Sequence, residues 1–443
     1  MREHRQKRRG ALAAVALLIV AARAVAGDSG GSAAALGAGA CSAPVCHGSV
    51  VAREAGDILR NEYTTWMAKD HHSRAYGVLL GEQSRAIAAK LGIGPAQAAP
   101  VCLDCHATAP AAGIAGNTHV VSQGVSCQGC HGDAADWLES HDDAGRTHAA
   151  NVAAGMTDLA DAGIRAETCA SCHVGDAKRF VTHRILAAGH PRSSFELDTF
   201  SYVQPRHYRV DDDYRRRKGE PTGVVSWAVG QSVLVGAILA RIAGNDGLAL
   251  QGGDWPEFAL FDCFGCHQPM RPPTSGNGAA ARAGTLGTPA FLRASAAMLA
   301  LAADVAALPA DARVHATLLG LDSALGSGSG DPARLAAQAL ARIRRGQELF
   351  DHWKPTPAQL EELLAALCSP AAATALRSYG DAEQATMAVQ AVMASLADNS
   401  PPKDARTARL KHALDGLFEA TRSETGFRRE DFVAALRKVD AAR

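Results

Sequence analysis

The chain has 443 residues, long enough for two domains, and balances 45 basic against 45 acidic side chains. That balance leaves no basic excess for nucleic acid and no acidic tail. Aromatic residues make up only 5%, a shortage that large apolar prosthetic groups would make good.

Residues 1–26 read as an export signal. Arg2, Arg5, Lys7, Arg8 and Arg9 form a basic start, residues 11–22 a short apolar run, and Ala24-Val25-Ala26 a small-x-small cleavage site. The expected mature chain begins at Gly27, in the periplasm. Residues 27–40 are rich in Gly, Ala and Ser and read as a lead-in.

Beyond them one pattern recurs. Cys127-Gln-Gly-Cys130-His131 places two cysteines three apart with histidine directly after, the attachment signature of a c-type haem. Cys102–Cys105–His106, Cys169–Cys172–His173 and Cys263–Cys266–His267 repeat it, and Cys41–Cys46–His47 is a wider copy with four residues between the cysteines. Paired cysteines also bind zinc, but zinc does not require histidine after every second cysteine. Histidine is 17 of 443 residues, too sparse for five coincidences. Haem c is therefore the expected cofactor, four from tight motifs and a fifth from the wide one. His47, His106, His131, His173 and His267 are the expected proximal iron ligands. Eleven cysteines less ten thioether cysteines leave Cys368, which reads as a buried small apolar residue.

The predicted fold is mainly α: a multihaem domain over 27–270 with little regular sheet, a Pro/Gly-rich linker over 271–288, and a helical bundle over 289–443. In the first part, helices are expected over 54–80, 133–141 and 180–188. The polar segment 198–220 reads as turn-rich, and its run Arg215-Arg216-Arg217-Lys218 as a solvated loop, with a docking patch for a redox partner as the sharper alternative. Residues 224–243 are the most apolar after the leader. Gln231 and Arg241 interrupt them, so a buried helix is expected rather than a membrane span. In the last part, amphipathic helices are expected over 289–308, 331–349, 356–368, 381–397, 404–422 and 429–439. Asp331 before Pro332, Thr356 before Pro357, and Asp381 mark starts, and 326–330 is a flexible connection.

The sixth iron ligand decides function, because a second histidine closes the iron and an open position admits a small molecule. His71, His72, His119, His141, His148, His183, His190 and His207 are available; Met67, Met156 and Met270 are weaker alternatives. His315, His352 and His412 lie in the tail and read as ordinary.

Trp66…His71-His72-Ser-Arg-Ala-Tyr76, Gly124-Val-Ser-Cys-Gln-Gly-Cys-His-Gly132 with Trp137 and His141, Ala188-Gly-His190-Pro-Arg192…Phe195-Glu196, and the run from Trp255 to His267 together resemble the multihaem cytochrome c-554 family. That family shares haem packing with the hydroxylamine oxidoreductase and pentahaem nitrite reductase groups. The resemblance spans about 41–270 and leaves out the tail. It implies that His72 (or His71) caps the haem on His131, that His141 caps the haem on His47, and that His183 or His190 serves the haems on His173 and His267. His119 is implied for the haem on His106, which is five-coordinate in tetrahaem members. A fifth haem, the widened first motif and the tail depart from those members.

The expected function is single-electron transfer between redox protein partners, with any membrane association made through a partner. The alternative is a redox enzyme acting on a small nitrogen or sulfur species at one five-coordinate haem. All five motifs end in histidine, and none carries the lysine of the nitrite reductases.

Overall fold

The most apolar run after the leader becomes the axis of the molecule. The structure, a computed structural model, describes residues 36–54, 58–108, 118–134, 136–176, 178–244, 257–261, 263, 267, 293–327, 330–398 and 405–443. The leader, the expected linker and Cys266 lie outside them. The fold is mainly α, and among the described residues the one β feature is an isolated bridge between Ile58 and Tyr208.

The central helix, Val224–Gly244, is long and apolar enough to cross a membrane, yet it is buried. Gln231, Ser232 and Arg241 on it each have an internal partner, as burial favours. Gln231 donates to Gln384 Oε1 at 2.8 Å, Ser232 to the Ala228 carbonyl at 3.0 Å, and Arg241 to the Asp176 carbonyl while lying 4.0 Å over the Phe180 ring. Pro332–Asp351 packs along this helix most extensively, and Ala162–Ala170, Leu197–Val203, Arg293–Val305 and Tyr379–Asp398 close round it. Gly230 permits the closest approach: a Cβ there would lie 2.5 Å from Leu197 Cβ. Trp227, Leu239, Leu321, Leu360, Leu364 and Phe432 thus belong to one core, shared by the central helix and the tail.

The tail is the expected helical bundle. Asp331 caps Pro332–Asp351 through the Arg334 N–H, and Thr356 with Gln359 forms a capping box ahead of Pro357–Cys368. Cys368 is buried, and burial pushes its thiol up to about 12. Tyr379–Asp398 starts two residues before Asp381, whose carboxylate folds back to accept the Arg377 and Ser378 N–H groups. Two helices lack a sequence expectation, His315–Ser327 and Pro370–Ala375. The first is interrupted by Gly320 and takes its stability from Leu318, Leu321 and Ala324, buried against its neighbours. It also runs into the segment expected to be a connection.

The haem-motif region is built from shorter pieces, because side chains cap and break its helices. The helix expected over 54–80 is Glu62–Lys69, then a 3₁₀ turn His71–Arg74, then Ala75–Val78. Asp70 makes the break by capping the turn through the His72 N–H. Residues 137–141 form turns rather than a helix, with Ser140 donating to the Trp137 carbonyl at 3.3 Å. The helix expected from 180 starts at His183, after the Thr182 cap. The segment expected to be turn-rich holds two short helices, Leu197–Val203 and Asp212–Lys218. The basic run lies on the second and is solvated, but Arg215 pairs with Glu220 and both Arg216 and Arg217 pair with Asp213. Much of its charge is neutralised locally, which weakens it as a docking patch.

Candidate haem-ligand site

Cys102, Cys105, Cys127 and Cys130 sit on short helices that end at the histidine following each pair. Pro100 starts the helix Pro100–His106, Ser126 precedes Cys127–His131, and the fourth motif ends Ala162–Ala170 in a π-helical turn. Gly124 lets the third motif lie against the His72 segment. It has φ +72°, and a Cβ there would lie 2.5 Å from the His72 carbonyl oxygen. That carbonyl accepts from Val125 N–H at 3.0 Å, and the Trp66 indole donates to the Val125 carbonyl at 3.1 Å.

Each motif histidine faces one other histidine. The ring centroids are 6.1 Å apart for His47 and His141, 6.3 Å for His106 and His190, and 6.2 Å for His131 and His207. They are 6.1 Å apart for His173 and His72, and 6.3 Å for His267 and His183. A metal–imidazole bond is about 2 Å long, and about 1 Å more from each nitrogen to its ring centre puts two rings sharing one metal about 6 Å apart. The five separations fit one iron between each pair. The ring planes differ: 21° and 34° for the pairs of His47 and His267, and 81°, 73° and 89° for those of His106, His131 and His173.

The pairing departs from the expected ligand map at three places. His141 does stand opposite His47, and His183 opposite His267. His72 faces His173, not His131, because the Asp70 cap turns its ring toward the fourth motif. His190 faces His106, the position expected for His119. His119 lies on the short helix Thr118–Val121, with its side chain outside the described residues. His207, a spare histidine without an assigned haem, faces His131. Its signal in the sequence is numerical only: five motifs need five partners, and it lies in a polar stretch otherwise read as turns. His148 serves elsewhere, 2.9 Å from Asp158. Met67 is exposed.

Bonds at Nδ1 orient the rings. The carbonyls of Ala75 and Pro191 accept from His106 and His190 at 2.9 and 2.8 Å, and the Leu138 carbonyl accepts from His141. Two rings donate to carboxylates instead: His72 to Asp70 at 2.9 Å and His47 to Glu62 at 3.0 Å. Such bonds leave Nε2 to face the partner ring and fix the tautomer. Asp70 is buried, which alone would raise its pKa. The His72 ring, the His72 N–H and the Gln204 amide outweigh this and hold it at about 2. It is therefore ionised and can only accept. Burial lowers His131 and His173 to about 4, keeping both in the neutral form that ligates a metal. Phe195 stacks on His173 and Phe200 meets it edge-on, each with ring centroids 5.4 Å away.

Thiols of different motifs also meet. The Cys41 thiol lies near that of Cys127, and the Cys105 thiol near that of Cys172. The neighbouring Cys105, with Arg179 donating to the Cys172 sulfur, lowers the Cys172 thiol despite burial. Burial and the neighbouring Cys169 and Cys172 raise Cys130 to about 12.

Residues 40–132, which contain the first three motifs, match the family model described as cytochrome c554 and c-prime. The match supports a c-type cytochrome in electron transfer, with covalently bound haem c. No curated protein and no solved structure matches the chain.

Proposed function

We propose that the chain is a periplasmic five-haem cytochrome that passes single electrons between redox protein partners. The observation that carries this reading is the one-to-one pairing of all five motif histidines with a second histidine at 6.1–6.3 Å. Haem c bound at these pairs supplies a one-electron carrier whose potential the surrounding protein tunes. The ten motif cysteines would hold it covalently, and His141, His190, His207, His72 and His183 would close the second face of each site. A redox enzyme needs an open iron position, and each motif histidine already faces a second ring.

The chain's own contacts favour a single file. The closeness of Cys41 to Cys127 brings motifs one and three together, and that of Cys130 to Cys169 and Cys172 brings three and four together. The closeness of Cys105 to Cys172 brings four and two together. His183 and His190, at the two ends of one short helix and just past it, join five and two. The order is then one, three, four, two, five, with donor and acceptor docking at the two ends.

A pyridine haemochrome assay with intact mass on the exported protein tests the reading. Five haems and wholly low-spin ferric spectra are expected. Fewer than five, or a high-spin haem that binds nitric oxide in the resting protein, would overturn it.

A further inference from the structure

His190 is the paired histidine most directly tied to the tail. Its Nδ1 donates to the Pro191 carbonyl, so the peptide just after it sets the angle of the ring. The next residue, Arg192, reaches into the bundle. Its guanidinium donates to Glu383 Oε2 at 2.8 Å, lies 3.6 Å from Glu424 Oε2, and stacks over the Tyr379 ring at 5.3 Å. Ser194 donates to the same Glu383 oxygen at 2.6 Å, and Gln384 donates to the Phe195 carbonyl at 3.2 Å. Four consecutive residues after Pro191 thus include three held by neighbouring side chains of one tail helix, Tyr379–Asp398. On the other side, Gln83 and Lys90 bond the carbonyls of Gly189 and Ala188, which steadies the chain before His190 but not the peptide that orients its ring.

We infer that the C-terminal bundle is a latch on the second haem: Glu383, through Arg192 and Ser194, keeps His190 facing His106 and that iron closed. Glu383 is a positioning residue, since it touches neither histidine. The inference rests on the reading of His106 and His190 as an iron-ligand pair. It gives the tail a function in the haem region, and makes the fit between tail and haem region a control on whether one iron can take an external ligand.

The test uses full-length holoprotein. In Glu383→Ala the peptide after His190 loses its anchor. The fraction of haem that is high-spin when ferric and binds carbon monoxide when reduced is expected to rise about tenfold, the shift that a loss of about 1.4 kcal/mol produces. It should approach one haem per chain at most. Glu383→Gln keeps an oxygen for Ser194 and Arg192 and should restore most of the low-spin signal, which a general loosening would not do. Arg192→Ala is the second variant and should open the same haem if Glu383→Ala fails to accumulate. His190→Ala is the reference, with one haem fully open. If both latch variants stay wholly low-spin while His190→Ala opens, the latch is wrong and the pairing stands. If His190→Ala itself stays wholly low-spin, the pairing of His106 with His190 is wrong, and the latch falls with it.

Discussion

Asp70 and Glu62 single out two of the five histidine pairs. A carboxylate accepting from Nδ1 makes the imidazole a stronger electron donor than a carbonyl does, and so stabilises the oxidised metal. The sites of His72 with His173 and of His47 with Glu62 nearby should therefore have lower potentials than those braced by carbonyls. Asp70→Asn keeps the shape and removes the charge. It is expected to raise one haem's midpoint potential by on the order of 60 mV, a tenfold change in a one-electron equilibrium. Spectroelectrochemical titration of the holoprotein checks this, and an unchanged set of five potentials would refute it. At this scale the sequence was legible where the chemistry is local. Cysteine and histidine in one turn mark a candidate attachment site without any fold. The facing histidines come from residues tens of positions away, and groups such as Asp70 and Pro191 orient the rings. His207 illustrates the limit, for nothing beside it in the chain marks it as the partner of His131.

Among the elements, the central helix joins the two parts of the chain, and Gly230 is its most constrained position. Gly230→Val would put its Cβ 2.5 Å from Leu197 Cβ, and overpacking of this kind costs about 1–3 kcal/mol. Gly236 is a control on the same helix, because a Cβ there meets Ile343 and Leu340 only at 3.5 and 3.6 Å. Gly236→Ala should be neutral or stabilise by up to about 1 kcal/mol through helix propensity. Thermal melting of both variants distinguishes them, and equal effects would count against the packing described. The helices that start at Pro332 and Pro357 were readable from their caps, and the central helix from its apolar length. His315–Ser327 was not, since it has glycine inside and depends on burial rather than on a start signal. Likewise the break at Asp70 came from one side chain competing for backbone N–H groups, an effect that hydrophobic periodicity does not register.

For the molecule as a whole, Glu196 and Asp198 set a pH dependence. Both are buried at the start of Leu197–Val203, against the central helix. Burial, then the Asp198 charge, raises Glu196 from 4.5 to about 8, against the pull of the Thr199 and Asp198 N–H groups. Burial likewise raises Asp198 to about 6, against Gly223 N–H and Arg165. The folded chain then holds these protons more tightly than the unfolded chain does. Their contribution is fully present below about 3.8 and is lost as pH rises, for Asp198 through about 6 and for Glu196 through about 8. His131 and His173, held at about 4, act in the opposite direction below about 6.5, so the effect is read as a difference: the melting temperature of the parent should fall relative to that of Glu196→Gln as pH rises toward 8. A parent and variant with parallel profiles would rule this out. The mainly α fold with a helical tail followed from composition and periodicity. The continuity of one core from the central helix into the tail did not, because it depends on contacts between segments more than a hundred residues apart.

The ring-plane angles carry one more consequence, in the electronic structure of the sites. Where the planes are close to parallel, at 21° and 34°, both imidazoles act on the same iron d orbital and split it from its partner. Where they are close to perpendicular, at 73°, 81° and 89°, each acts on a different orbital and the two stay nearly degenerate. Ferric iron in the first setting gives a rhombic resonance; in the second it gives a broad, steep feature at low field. Low-temperature EPR of the oxidised holoprotein should therefore divide into two rhombic centres and three strongly anisotropic ones, and a single class of resonance would contradict the geometry.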